Sequence, residues 1–118
     1  MLTNKCKKDF EKWALKNVKT HLVKKIKIRP NTMDWVFDDS FYELPLSMQI
    51  GVYEDFAESL GCYLYFTGIV YGFYSYELNF KGVTHYINGE TKSEAREELI
   101  KQLNNLINNH IVDTNKKV

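Results

Sequence analysis

The chain has 118 residues, 44% of them hydrophobic, with two cysteines and a formal net charge of +1. That length holds one domain with a modest core and excludes two. No window approaches about 18 apolar residues, which excludes a membrane-spanning helix, and no apolar run follows the polar, lysine-rich start, so no secretory signal is expected. Cys6 and Cys62 are far apart and lack metal-ligand spacing, so they read as reduced thiols of a cytoplasmic protein.

The small net charge conceals a strong asymmetry. Residues 1–30 carry ten Lys or Arg and two acids, a net +8; residues 31–60 carry seven acids and no Lys or Arg; residues 61–118 carry six of each. Such polarity marks either a nucleic-acid contact or two segments that face each other within the molecule or are simply solvated.

The first element expected is an amphipathic helix over residues 4–18. Cys6, Phe10, Trp13 and Asn17 share one face with Ala14 beside them, and Lys5, Lys7, Lys8, Lys12 and Lys16 occupy the rest. Phe10 and Trp13 are expected to dock on the domain. From Lys19 to Arg29 a basic run interleaves Leu22, Val23, Ile26 and Ile28. It reads equally as a short lysine-guarded edge strand or as a mobile basic arm, and Pro30 ends either one. Residues 31–45 read as an acidic, aromatic linker that tucks Trp35 and Phe37 into the core. Its acids are too irregular for a calcium loop.

The stretch from Phe41 to Gly61 organises the rest. Leu46, Ile50, Tyr53, Ala57 and Leu60 fall on one helical face, widened by Met48, Val52 and Phe56, which predicts a central helix buried on more than one side. Pro45 suits the first turn, and Gly61 suits a left-handed stop. The residues left for solvent are mostly acidic: Glu54, Asp55 and Glu58.

Beyond Gly61 the period becomes two. Residues 62–70, Phe73–Phe80 and 83–87 read as three strands, joined by tight turns at Tyr71-Gly72 and Lys81-Gly82. Tyr74, Tyr76, Leu78 and Phe80 alternate with Ser75, Glu77 and Asn79. After the Asn88-Gly89 turn, Thr91 and Glu94 have capping-box spacing for a last helix. Its stripe is Ala95, Leu99, Leu103, Leu106 and His110, widened by Ile100, Ile107 and Ile111. A polar tail follows over 112–118. The expected fold is α+β, a three-stranded antiparallel meander with helices on one face, in the order α-α-β-β-β-α.

No catalytic or metal-binding signature is present. His21, His85 and His110 are isolated and read as structural, and no P-loop, G-x-S-x-G, H-E-x-x-H or paired-Cys motif occurs. A site can be assembled from distant residues, so an enzyme stays open as an alternative, but binding is the better prior. No cofactor, metal or small-molecule substrate is expected.

Two resemblances bear on function. The order from Leu46 to Ile111 resembles the double-stranded RNA-binding domain, whose second helix opens with a phosphate-gripping S-K-K-x-A-K signature. The matching run here is Thr91-Lys92-Ser93-Glu94-Ala95-Arg96. Lys92, Ala95 and Arg96 fit, with Lys101 further along the helix. Ser93 stands where that family has a lysine, Glu94 adds an acid, and Tyr71-Gly72 stands where it has a G-P-x-H loop. Separately, the run from Phe41 to Phe56, FYELPLSMQIGVYEDF, resembles a class of small phage and prophage proteins. Among these are anti-CRISPR proteins directed at the RNA-guided RNA nuclease of type VI-B systems. That resemblance implies an inhibitor in the bacterial cytoplasm that binds a CRISPR effector protein, alone or with its guide RNA. The contact is expected through the basic segment, Lys5, Lys8, Lys12, Lys24, Lys25, Lys27 and Arg29, with Lys92 and Arg96 available to RNA.

Overall fold

The computed structural model describes residues 2–17 and 22–116, with side chains to Asn109. Among the described residues nine elements follow one another: α1 (Asn4–Lys16), β1 (Val23–Arg29), β2 (Thr32–Phe37), a 3-10 turn (Asp39–Glu43), α2 (Leu46–Ser59), β3 (Cys62–Val70), β4 (Phe73–Phe80), β5 (Val83–Gly89) and α3 (Lys92–Lys116). The α+β class and the antiparallel β3-β4-β5 meander are as the alternation predicts. His21, and the side chains of His110 and Ile111, lie outside the described residues. Among the described residues no helix is long and apolar enough to cross a membrane.

The meander is built by its turns. Tyr71-Gly72 and Lys81-Gly82 both have positive φ at each residue, the backbone of a two-residue turn whose twist matches the strands it joins. Leu64, Leu78 and His85 are cross-strand partners, as are Cys62, Phe80 and Val83. The face carrying Tyr76, Leu78, Phe80 and Ile87 is buried beneath α2 and α3. The opposite face, with Tyr63, Tyr65 and Tyr86, is open to solvent.

Helix α2 buries Ile50, Tyr53, Phe56 and Ala57 as its spacing predicts. Met48, expected to widen that face, is exposed, and Gln49 is buried instead. Gln49 Nε2 donates to the carbonyls of Tyr42 (3.2 Å) and Leu44 (2.7 Å), and its Oε1 accepts from the Tyr53 hydroxyl at 2.7 Å. A buried amide is tolerated here because its donors and its acceptor all find partners.

Helix α1 docks through Cys6, Phe10 and Ala14, all fully buried. Its N-terminus is capped by α3. Asn104 Oδ1 accepts the Thr3 N–H and Asn108 Oδ1 accepts the Cys6 N–H, both at 2.8 Å. Two first-turn donors that helix geometry leaves unpaired are thus satisfied from the other end of the chain. Helix α3 is capped by Thr91 as predicted, its Oγ1 accepting the Glu94 N–H at 3.1 Å, while the Glu94 carboxylate reaches one residue past the cap to accept the Glu90 N–H at 3.1 Å.

The segment read as a linker over 31–45 is corrected. Thr32–Phe37 is strand β2, paired antiparallel with β1 from Val23↔Phe37 to Arg29↔Thr32. The cause is Pro30-Asn31, with proline in the first central position of the turn and Asn31 at φ 68° in the second, a combination suited to a type II turn. Trp35 is also corrected. It is not in the core but 42% exposed, whereas Phe37 is buried.

Two expected results follow from the packing. A methyl group at Gly89 would lie 2.4 Å from the Ala95 backbone nitrogen, so Gly89→Ala must push α3 away from β5. The expected loss is about 1–3 kcal/mol by urea denaturation, as for other overpacked sites. Both cysteines are free and buried. Burial, with a smaller contribution from Asp9, pushes the Cys6 thiol up to about 12, and burial alone pushes Cys62 to about 11. The native protein is therefore expected to resist a disulfide-exchange reagent at pH 8 and to react at its unfolding rate. Prompt modification of two thiols per chain would contradict that burial.

Candidate functional site

The β1-β2 hairpin is attached at its base and free beyond it. At the base, Leu22 and Val23 are buried, the Asp38 N–H donates to the Leu22 carbonyl at 2.8 Å, and Phe37 packs edge-on against Phe10 with ring centroids 5.6 Å apart. From Lys24 to Trp35 every residue is exposed. That stretch holds Lys24, Lys25, Lys27 and Arg29 together with Ile26, Ile28, Met33 and Trp35. Of these, Ile28 is 51% and Met33 55% exposed.

Strand geometry sorts these residues between two faces. Lys25↔Trp35 and Lys27↔Met33 are cross-strand pairs on one face; Lys24↔Val36 and Ile26↔Asp34 lie on the other. The Lys25 ammonium sits 5.0 Å from the centre of the Trp35 ring, a cation–π contact across the hairpin. Lys24 approaches Asp38 at 3.8 Å. Hydrogen bonds from the Ser40 side chain and backbone, and then Lys24, hold the Asp38 carboxyl below the usual range.

The structure divides the remaining predicted residues. Lys5, Lys8 and Lys12 are on the solvent side of α1, which adjoins the hairpin through β2. Lys5 reaches Asp9 at 3.8 Å, one turn along its own helix. Lys92 and Arg96 are elsewhere. They open α3, whereas α1 meets α3 at Asn104 and Asn108. The separation of Arg96 from Asn108 is about 18 Å along the helix. The Lys92 ammonium lies 5.1 Å from the centre of the Phe66 ring, and the Nε of Arg96 is enclosed without a hydrogen-bond partner. Lys92 and Arg96 are thus not part of the hairpin surface.

Three acids of residues 31–60 form a separate surface. Glu54, Asp55 and Glu58 of α2 line a groove with Cys62, Tyr63, Leu64 and Tyr65 of β3. Partial burial, and then Asp55 beside it, hold the Glu54 carboxyl above its usual range. Among the described residues the ion pair that joins the basic first third to an acid of residues 31–60 is Lys24–Asp38, and none reaches Glu54, Asp55 or Glu58. Among the described residues the two charged segments are thus joined by that one pair, which leaves most of their charge facing solvent. No group of three or more His, Cys, Asp or Glu that could hold a metal occurs among the described residues.

The hairpin partners of the basic strand escaped the sequence reading. Trp35 and Met33 belong to the surface, and the Pro-Asn turn between alternating segments was the signal that pairs them with Lys25 and Lys27. Comparison of the chain with protein-family models, with curated proteins and with solved structures finds no match in any of the three.

Proposed function

We propose that this protein is a phage-encoded inhibitor that acts by binding, seating its basic hairpin on an RNA-guided, RNA-cleaving CRISPR effector of the type VI-B kind or on that effector's guide RNA complex. One observation carries the binding role. A strand with four cations in seven residues, and apolar side chains between them, stands in solvent on both faces. A two-stranded hairpin adds little stability by itself, so the core does not account for Ile26, Ile28, Met33 and Trp35. Lysines around an exposed tryptophan suit a partner that offers phosphates or carboxylates beside apolar ground. The choice of effector rests on the resemblance of the Phe41–Phe56 run.

The test is capture of purified effector, with and without guide RNA, on immobilised protein, together with cleavage of target RNA. Salt-sensitive binding and loss of cleavage are expected. Absence of binding to either form would remove the reading.

Duplex RNA binding is the second reading, favoured by the α2-β3-β4-β5-α3 order. Against it, Lys92 is stacked on Phe66, Arg96 is partly enclosed, and α2 presents Glu54, Asp55 and Glu58 to solvent. Titration of free protein with hairpin RNA at about 0.05 M salt is expected to be flat. Binding that falls log-linearly with salt would transfer the function to RNA.

A further inference from the structure

Strand β3 is an outer strand of its sheet: β4 pairs with one edge, and among the described residues no strand pairs with the other. Its sequence, CYLYFTGIV, has no lysine, proline or charge. Edge strands are ordinarily blunted by such residues, because open backbone donors and acceptors recruit another strand. The regular part runs from Cys62 to Phe66, ahead of the register shift between Phe66 and Gly68. Alongside it lies the groove with Glu54, Asp55 and Glu58. A strand added at this edge is therefore selected for positive charge.

The chain itself contains such a strand. β1 pairs with β2 by one edge and has no strand on the other among the described residues, and its regular part, Val23 to Lys27, ends at the shift between Lys27 and Arg29. The two regular stretches are five residues each. Lys25 and Lys27 are on one face, about 6.6 Å apart in a strand. Glu54 and Glu58 are one turn apart on α2, about 6 Å. Within one molecule β1 belongs to a different sheet from β3.

We infer that the β3 edge takes the β1 strand of a second copy of this chain, with Lys25 and Lys27 of one copy set against Glu54, Asp55 and Glu58 of the other. The contact joins unlike surfaces, so each copy has one of each to offer, and the assembly either closes on itself or extends. It also covers the basic hairpin, so that self-association and capture of an effector compete for one strand. The inference goes beyond the binding role and is measured on the protein alone, so its failure leaves that role standing.

Sedimentation velocity tests it. At about 0.01 M salt the mass is expected to rise with concentration above the 13.9 kDa of one chain. At about 1 M salt, where the screening length has fallen from about 30 Å to about 3 Å, it is expected to return to one chain. The variants K24E/K25E/K27E and E54K/D55K/E58K, all changed at exposed positions, should each be monomeric. An equimolar mixture of the two should associate, because each then offers the complement of the other. Parent protein that stays at one chain's mass at low salt overturns the inference, whether or not a variant folds. So does association that survives either reversal, or a mixture of two folded variants that stays monomeric.

Discussion

Phe10→Ala is expected to cost about 3–5 kcal/mol, the range for deleting a ring from a close-packed core. Phe10 is fully buried, and its ring has six aromatic neighbours: Trp13, Phe37, Phe41, Tyr42, Tyr53 and Phe56, with centroids 5.2 to 6.3 Å away. They come from α1, β2, the 3-10 turn and α2, so one substitution opens a void where four elements meet. Aromatic pairs in edge-to-face or offset geometry contribute beyond their buried area, and all six contacts to Phe10 would go at once. Domains of this size are stable by about 5–15 kcal/mol, so the loss is a large share of the total. The hairpin should loosen first, since Phe37 at its base rests on Phe10. Phe56→Ala is expected to fall in the same range of about 3–5 kcal/mol, because Phe56 is also buried and packs on both Phe10 and Trp13. Urea denaturation measures both. A cost under about 1 kcal/mol at Phe10 would show that the cluster does not join these elements.

What was legible beforehand follows the range of the interaction. The Thr91–Glu94 cap, the left-handed Gly61 at φ 76° and the alternation from Tyr74 to Phe80 are settled within a few residues, and local spacing reveals them. Trp35 and Phe37 have the same local signature, two aromatic residues at strand spacing. Alternation places them on one face but says nothing about where along that face the covering layer ends. Here Phe37 is covered by Phe10 of α1 and by Phe41 and Tyr42 of the 3-10 turn, while Trp35 is left 42% exposed. Capping of α1 by Asn104 and Asn108 joins residues more than 100 positions apart, and nothing near Thr3 announces it. The charge of the first thirty residues was visible from composition. That Lys24 to Arg29 stands on a free hairpin, while Lys92 and Arg96 open a helix on the other sheet, needed the three-dimensional arrangement.

On the proposed inhibitory role, reversing Lys24, Lys25 and Lys27 together to glutamate is expected to abolish inhibition of the effector while leaving the fold nearly intact. The structural cost is small because the three side chains are exposed. The Lys24–Asp38 contact is an exposed pair of about 0.2–1 kcal/mol. The Lys25–Trp35 contact adds about 0.5–1 kcal/mol at an exposed site. Melting should therefore remain cooperative, with a loss of at most about 2 kcal/mol. The cost to binding is larger, since three attractions become three repulsions on one ribbon. Steering by a charged surface raises association rates by about 10- to 1,000-fold, and the reversal removes it and opposes approach. Salt provides an internal check. The parent's association rate should fall steeply as salt rises past about 0.1 M, where the screening length is about 10 Å, and the variant's should not. Lys92→Glu with Arg96→Glu is the control, because those residues lie away from the hairpin, and it should inhibit within about threefold of the parent, a change worth less than 1 kcal/mol. The same triple change at Lys5, Lys8 and Lys12, on the helix adjoining the hairpin, should fall between the two. A folded hairpin variant that inhibits as well as the parent would remove the basic strand from the partner surface, and the α1 lysines would become the next place to look.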